Sequence, residues 1–170
     1  MGTMETVNTF DVVSQSADET RAIGGLLGAL LQPGDFIGLK GELGAGKTQL
    51  VKGIARGLAI AEEEVSSPTF AIVQSYPGRL TLHHADFYRL RSDDELYATG
   101  FFDLQTTAAV SVVEWVGKFP RAVPDDWLQV TLRAPEETRR ELRFTATGPT
   151  AGERLSAFKE ALTRTRSAAR

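Results

Sequence analysis

The sequence predicts a single α/β domain of three layers, in which a mixed, mainly parallel sheet is flanked by helices. Three observations lead there. A short apolar run, Phe36-Ile37-Gly38-Leu39, passes through a glycine-rich loop into Leu50, Val51, Ile54, Ala55 and Leu58, which recur at helical spacing. A second run, Ala108 to Val113, is apolar apart from Ser111, as suits a strand buried on both faces. The chain has 170 residues, enough for one such domain with a real core and too few for two.

The elements follow in order. Phe10-Asp11-Val12-Val13 reads as a first strand, and the capping pattern Ser16-x-x-Glu19 opens a helix from about Ala17 to Leu31. Gly24, Gly25 and Gly28 lower its intrinsic propensity and suggest close packing against the sheet, with flexibility as the competing explanation. Pro33-Gly34-Asp35 is a turn that introduces the Phe36 strand. After the second helix, Ser66-Ser67-Pro68-Thr69-Phe70 reads as a loop, because proline disfavours helix at Ser67. Ala71 to Tyr76 and Leu80 to Asp86 form a hairpin around Pro77-Gly78-Arg79, so the sheet is mixed. Ser92-x-x-Glu95 caps a short helix through about Thr99, and Gly100-Phe101-Phe102 turns the chain toward the Ala108 strand. Leu128 to Leu132 and Glu141 to Thr145 alternate as edge-type strands, and an amphipathic helix covers roughly Gly152 to Thr163. The core spans about residues 10 to 145, with the last helix and its basic end beyond it.

Composition narrows the function. With 42% hydrophobic and 24% charged residues and no apolar run near the ~20 residues of a membrane span, membrane insertion is not expected. Met1-Gly2-Thr3-Met4-Glu5 has no basic region followed by an apolar core, so no secretory signal is expected. The absence of cysteine removes disulfides and thiolate metal sites and fits a cytoplasmic protein. A formal charge of −3 argues against affinity for a nucleic-acid backbone over a broad surface. The local exception is the C-terminal stretch with Arg154, Lys159, Arg164, Arg166 and Arg170, read as the solvated face of a helix with a frayed Ser167-Ala168-Ala169 end rather than an RNA-contacting tail.

Gly41-Glu42-Leu43-Gly44-Ala45-Gly46-Lys47-Thr48 matches the G-x-x-x-x-G-K-[ST] spacing of a phosphate-binding loop, and it lies between a strand and a helix as that loop must. The fold is therefore expected to be P-loop NTPase-like. Glycines let backbone N–H groups turn toward phosphate oxygens, Lys47 reaches the β- and γ-phosphates, and the Thr48 hydroxyl is placed for Mg²⁺. Glu42, Leu43, Gly44, Ala45, Gly46, Lys47, Thr48 and the following Gln49 are the expected nucleotide contacts. Asp86 and Glu114 each close a strand, and in a parallel arrangement both reach the edge where the loop sits. They are the candidate metal-side and catalytic carboxylates, with Thr48 completing the metal set. Thr69 is either a turn-capping hydroxyl or a sensor of the γ-phosphate. His83 and His84 point to opposite faces of a strand, so one packs inward and the other is able to orient groups near Asp86. Trp115 is a core aromatic or a platform beside the nucleotide.

Taken together, Gly41 to Thr48, Ser67-Pro68-Thr69-Phe70, His84-Ala85-Asp86-Phe87-Tyr88-Arg89-Leu90 and Val113-Glu114-Trp115 resemble the TsaE (YjeE) family of bacterial ATPases over about residues 10 to 145. The resemblance implies an accessory ATPase in making threonylcarbamoyladenosine, the modified base beside the anticodon of tRNAs that read ANN codons. It implies ATP and Mg²⁺ as ligands, TsaD and TsaB as partners, and only indirect contact with tRNA. It makes Lys47 the phosphate contact, Thr48 and Glu114 the Mg²⁺ site, and Asp86 the Walker-B-like carboxylate. Thr69 falls in the family's switch-like Ser-Pro-Thr loop, Trp115 in its Glu-Trp motif, and Ala17 to Thr20 are placed near the adenine. Two departures stand out: Glu42 where the family more often has Asp, and Val116-Gly117 where Pro and an acidic residue are common. The competing readings are a small-molecule phosphotransferase, for which the chain lacks a clear arginine-rich lid, and a nucleotide-gated binding subunit in which hydrolysis is incidental.

Overall fold

Apolar residues on both parities of the central strands divide the protein into two cores, one on each face of a sheet. The computed structural model describes residues 8–66, 72–105 and 108–169. In chain order the strands are β1 (Asn8–Ser14), β2 (Phe36–Lys40), β3 (Val73–Tyr76), β4 (Thr81–Asp86), β5 (Ala109–Glu114), β6 (Trp127–Arg133) and β7 (Arg140–Thr147). The helices are α1 (Ala17–Leu30), α2 (Lys47–Gly57), α3 (Asp93–Ala98) and α4 (Pro149–Ala168). The strands form one seven-stranded sheet in the order β1-β7-β6-β2-β5-β4-β3. The central pairings, β6 with β2, β2 with β5 and β5 with β4, are parallel. The flanks are antiparallel, β3 on β4 at one side and the β6-β7-β1 meander at the other.

On one face, Ile37, Leu39, Val110, Val112, Val130 and Phe144 pack under α1, α2 and α4 through Leu27, Ile54 and Phe158. On the other, Phe36, Ala85 and Val113 meet Leu96 of α3 and the short turns that carry Phe101, Phe119 and Ala122. The three layers are therefore unequal, with long helices over one face and a thin aromatic cover, including the edge-to-face pairs Phe87–Phe101 and Phe87–Phe119, over part of the other. Among the described residues no helix is long and apolar enough to cross a membrane.

Several expectations change. The glycines of α1 pack against α2, not against the sheet. A methyl group on Gly24 would stand 2.5 Å from the Leu50 carbonyl oxygen, one on Gly28 2.2 Å from that of Ile54, and one on Gly53 2.1 Å from that of Arg21. Two helix backbones approach closely here, and only glycine permits it. Strands β6 and β7 are interior, and β1 and β3 are the edges. The alternation that suggested edges arises because alternate residues of β6 lie under the helices while the others stay partly exposed. Helix α4 begins earlier and runs further than its apolar spacing suggested, with Pro149 in its first turn and helical geometry through Ala168. Its basic residues are used internally: Arg154 pairs with the mostly buried Asp35 at 2.7 Å, and Arg166 reaches the Val13 carbonyl and Glu19.

Gly28→Ala is expected to lower unfolding free energy by about 2–3 kcal/mol through overpacking. Gly152→Ala in α4, where nothing lies within 4 Å of the added methyl, is expected to raise it by about 0.5–1 kcal/mol. Urea denaturation of the two variants beside the parent chain measures both.

Candidate functional site

Between the end of β2 and the first turn of α2 the chain reverses through Gly41 to Gly46, and two glycines there hold positive φ, 82° at Gly44 and 101° at Gly46. Side-chain-bearing residues are strained in that region. Gly46 is the N-cap of α2, and it offers no capping side chain, nor does the first turn carry an acidic residue. The other α-helices are served differently. Ser16 caps α1 and Ser92 caps α3, each followed by acidic residues. Asp126 accepts from the Thr150 and Ala151 N–H groups of α4 at 2.9 and 2.8 Å. The positive end of α2 instead opens on a cavity of about 610 Å³ lined by Leu43 to Gln49, Asp86, Glu114 and Trp115.

The far wall comes from the strand ends. Parallel registry sets Asp86 beside Glu114, and His84 beside Val112 one pleat behind. Glu114 is 3% exposed and His84 fully buried, and His84 Nε2 lies 2.6 Å from Glu114 Oε2. Asp86 is half-buried and accepts the Tyr88 N–H at 2.9 Å. The Lys47 ammonium donates to the Gly41 carbonyl and, at 3.1 Å, to that of Glu42, and it stands 4.5 Å from the centre of the Trp115 ring. Burial pushes its pKa below the usual 10.5, opposed by the charges of Glu114, Asp86 and Glu42. Burial likewise raises Asp86 above the usual 3.8; the Tyr88 N–H opposes that rise, the Glu114 charge adds to it, and His84 and Lys47 oppose it further. Trp115 is left-handed, with φ 59°, so β5 ends abruptly after Glu114 and the indole folds over Lys47 and against Tyr88.

Of the residues expected at a nucleotide site, Ala17, Leu43, Gly44, Ala45, Gly46, Lys47, Thr48, Gln49, Asp86, Glu114 and Trp115 share this one cavity. The Glu42 side chain is exposed and borders a separate groove with Lys40 and Lys118, although its carbonyl takes the Lys47 ammonium. Thr20 lines a smaller neighbouring cavity of about 270 Å³ with Ser16, Ala17 and Gln49. Its hydroxyl is engaged by Ser14 Oγ at 2.7 Å and by the Ser16 carbonyl. Thr69 lies outside the described residues. Trp115 is half-buried at the cavity wall rather than in either core's centre.

Some contributors were not foreseen. Arg140, the first residue of β7, lines both cavities and donates to the Glu136, Glu137 and Arg139 carbonyls and, at 3.4 Å, to Gly44 of the loop. No local pattern marks it, since the pairing that delivers it is remote in sequence. Tyr88 and Arg89 also line the main cavity, directly after Asp86. The inward histidine is His84, and its partner is Glu114 rather than Asp86.

Comparisons with known proteins place the chain in a family. A family model described as "Threonylcarbamoyl adenosine biosynthesis protein TsaE" matches residues 14–142, from the end of β1 into β7. The chain belongs to the TsaE family. It is similar to the tRNA threonylcarbamoyladenosine biosynthesis protein TsaE of Treponema pallidum, 40% identical over 130 residues that make up 76% of this chain and 96% of that one. The TsaE protein of Bacillus subtilis is also 40% identical, over 132 residues, 77% of this chain and 82% of its own. Among solved structures, the crystal structure of Bacillus subtilis YdiB superposes with a TM-score of 0.73 at 31% identity, covering 93% of this chain and 99% of that one. The TsaE match contains every residue that lines the main cavity and leaves α4 outside.

A raised carboxyl pKa means that the folded state keeps a proton which the unfolded chain has released, so stability falls as pH rises from 3.8 through the folded value of Asp86. In metal-free buffer Asp86→Asn is therefore expected to raise the melting temperature at pH 7, with the gain vanishing toward pH 3. Thermal unfolding across that range measures it.

Proposed function

We propose that this TsaE family member binds Mg²⁺-ATP in the main cavity, hydrolyses it, and acts through TsaD and TsaB in forming threonylcarbamoyladenosine on tRNA. One observation carries the reading. The uncapped positive end of α2, with Lys47, faces two adjacent carboxylates, Asp86 and Glu114, across a single cavity.

The donor set suits the ligands. Backbone N–H groups of the loop and the Lys47 ammonium match phosphate oxygens, while the Thr48 hydroxyl, Glu114 and Asp86 are all-oxygen donors of the kind Mg²⁺ takes together with substrate phosphates. When bound, the ion neutralises charge that develops on the phosphate oxygens. Lys47, which donates to the Gly41 and Glu42 carbonyls, would exchange those two dipoles for the full negative charge of the β- and γ-phosphates. Glu114 and Thr48 would hold the metal. Asp86, at the same cavity wall, would accept a hydrogen bond from the attacking water as a carboxylate. Arg140 and Arg89 add positive charge at the cavity wall, and further transition-state charge is supplied by the partner complex.

Lys47→Ala is expected to weaken Mg²⁺-ATP binding at least about tenfold, as loss of a charge-assisted phosphate contact does, and to abolish hydrolysis. Because the lysine leaves the Trp115 ring on binding, titration of the parent protein with ATP should change its tryptophan fluorescence, and the variant should not respond. Turnover measured alone and with TsaD and TsaB should rise with the partners and yield inorganic phosphate. A Lys47→Ala protein that binds and hydrolyses normally would overturn the site.

A further inference from the structure

The interior of the sheet holds a histidine for which the functions above have no use. His84 is fully buried, its Nε2 lies 2.6 Å from Glu114 Oε2, and among the described residues its Nδ1 has no hydrogen-bond partner. A histidine kept only for packing gains nothing over an apolar residue and loses the unmet Nδ1. The bond to Glu114 is what compensates for it. Since an ionised carboxylate only accepts, the bond requires a proton on Nε2.

We infer that His84 is a positioning residue: it holds one carboxylate oxygen of Glu114 inside the protein so that only the other is available to the divalent cation of the nucleotide site. The inference rests on the metal-assisted reading proposed above. Registry supplies the geometry, because His84 stands opposite Val112 and so lies one pleat behind Glu114 on the same face of the sheet. From there the imidazole closes the carboxylate from its buried side, while Glu114 still lines the cavity. Without that anchor the carboxylate is free to rotate, to chelate with both oxygens, or to turn toward the Lys47 ammonium. Mg²⁺ demands near-ideal octahedral geometry, so a rotating ligand weakens the metal far more than it weakens the nucleotide. His83 provides the internal contrast. It faces the other side of the sheet and bonds the Ser75 hydroxyl at 2.7 Å.

The test is equilibrium binding of a fluorescent ATP analogue to the full chain, in EDTA and across a Mg²⁺ titration, for the parent, His84→Ala, His84→Gln and His83→Gln. His84→Ala should need about tenfold or more Mg²⁺ for the same tightening, with its affinity in EDTA within about twofold of the parent. His84→Gln, which restores an amide donor at similar reach, should recover most of the metal response, and His83→Gln should match the parent. Unchanged Mg²⁺ dependence in His84→Ala overturns the inference. So does a parallel loss in EDTA, which would mark a purely structural role, or a His84→Gln protein that responds no better than His84→Ala. If His84→Ala does not fold, the metal response of His84→Gln decides: near-parent supports the inference and a tenfold loss overturns it. A parent protein whose nucleotide affinity ignores Mg²⁺ would instead bring down the metal-assisted reading itself.

Discussion

Parallel pairing of β5 with β2 on one side and with β4 on the other is the constraint on which the site depends. Registry sets Leu39 of β2 beside Glu114, and Glu114 beside Asp86, so three strand ends stop at one edge. The loop that leaves β2 begins at that edge, and α2 packs back over the sheet through Leu50, Val51 and Ile54. Its amino end therefore points at the carboxylates. A shift of one residue in either pairing would turn Asp86 or Glu114 to the opposite face, because side chains alternate along a strand. The glycine contacts between α1 and α2 act on the same arrangement from the other side. They let α1 lie against the backbone of α2, which brings Ala17 to the cavity wall.

The site is held against local cost. Lys47 and Glu114 are almost wholly buried, Asp86 partly so, and burial pushes the lysine pKa down and the Asp86 pKa up. Trp115 occupies a left-handed conformation that an indole-bearing residue rarely adopts. Such strain persists where the surroundings over-determine it, and here Val116 and Phe119 anchor the chain immediately after the tryptophan in the second core. The lysine meanwhile rests on carbonyls of its own loop and on the indole.

The flanks serve the centre differently. Strand β7 contributes Arg140 to the phosphate loop, and α4 covers β1, β6 and β7 while its arginines pair with Asp35 and Glu19. Part of the basic composition of the C-terminal stretch is thus engaged in ion pairs within the protein.

Much was legible in the chain alone, and for a physical reason: each legible feature is local. The phosphate loop needs glycines, lysine and threonine at fixed spacing, the caps need Ser16 and Ser92 three residues before a glutamate, and a doubly covered strand needs a mostly apolar run. These determined the strand-loop-helix unit, most of the elements, the loop contacts and the two carboxylates at strand ends. What remained was set by pairing between distant segments. Strand order made β6 and β7 interior, helix contact gave the α1 glycines their role, β7 delivered Arg140, and registry tied His84 to Glu114. The chain determined which groups were present and in which local conformation; the tertiary structure decided which of them met, because burial, close approach and charge pairing arise only when segments far apart in sequence share one surface.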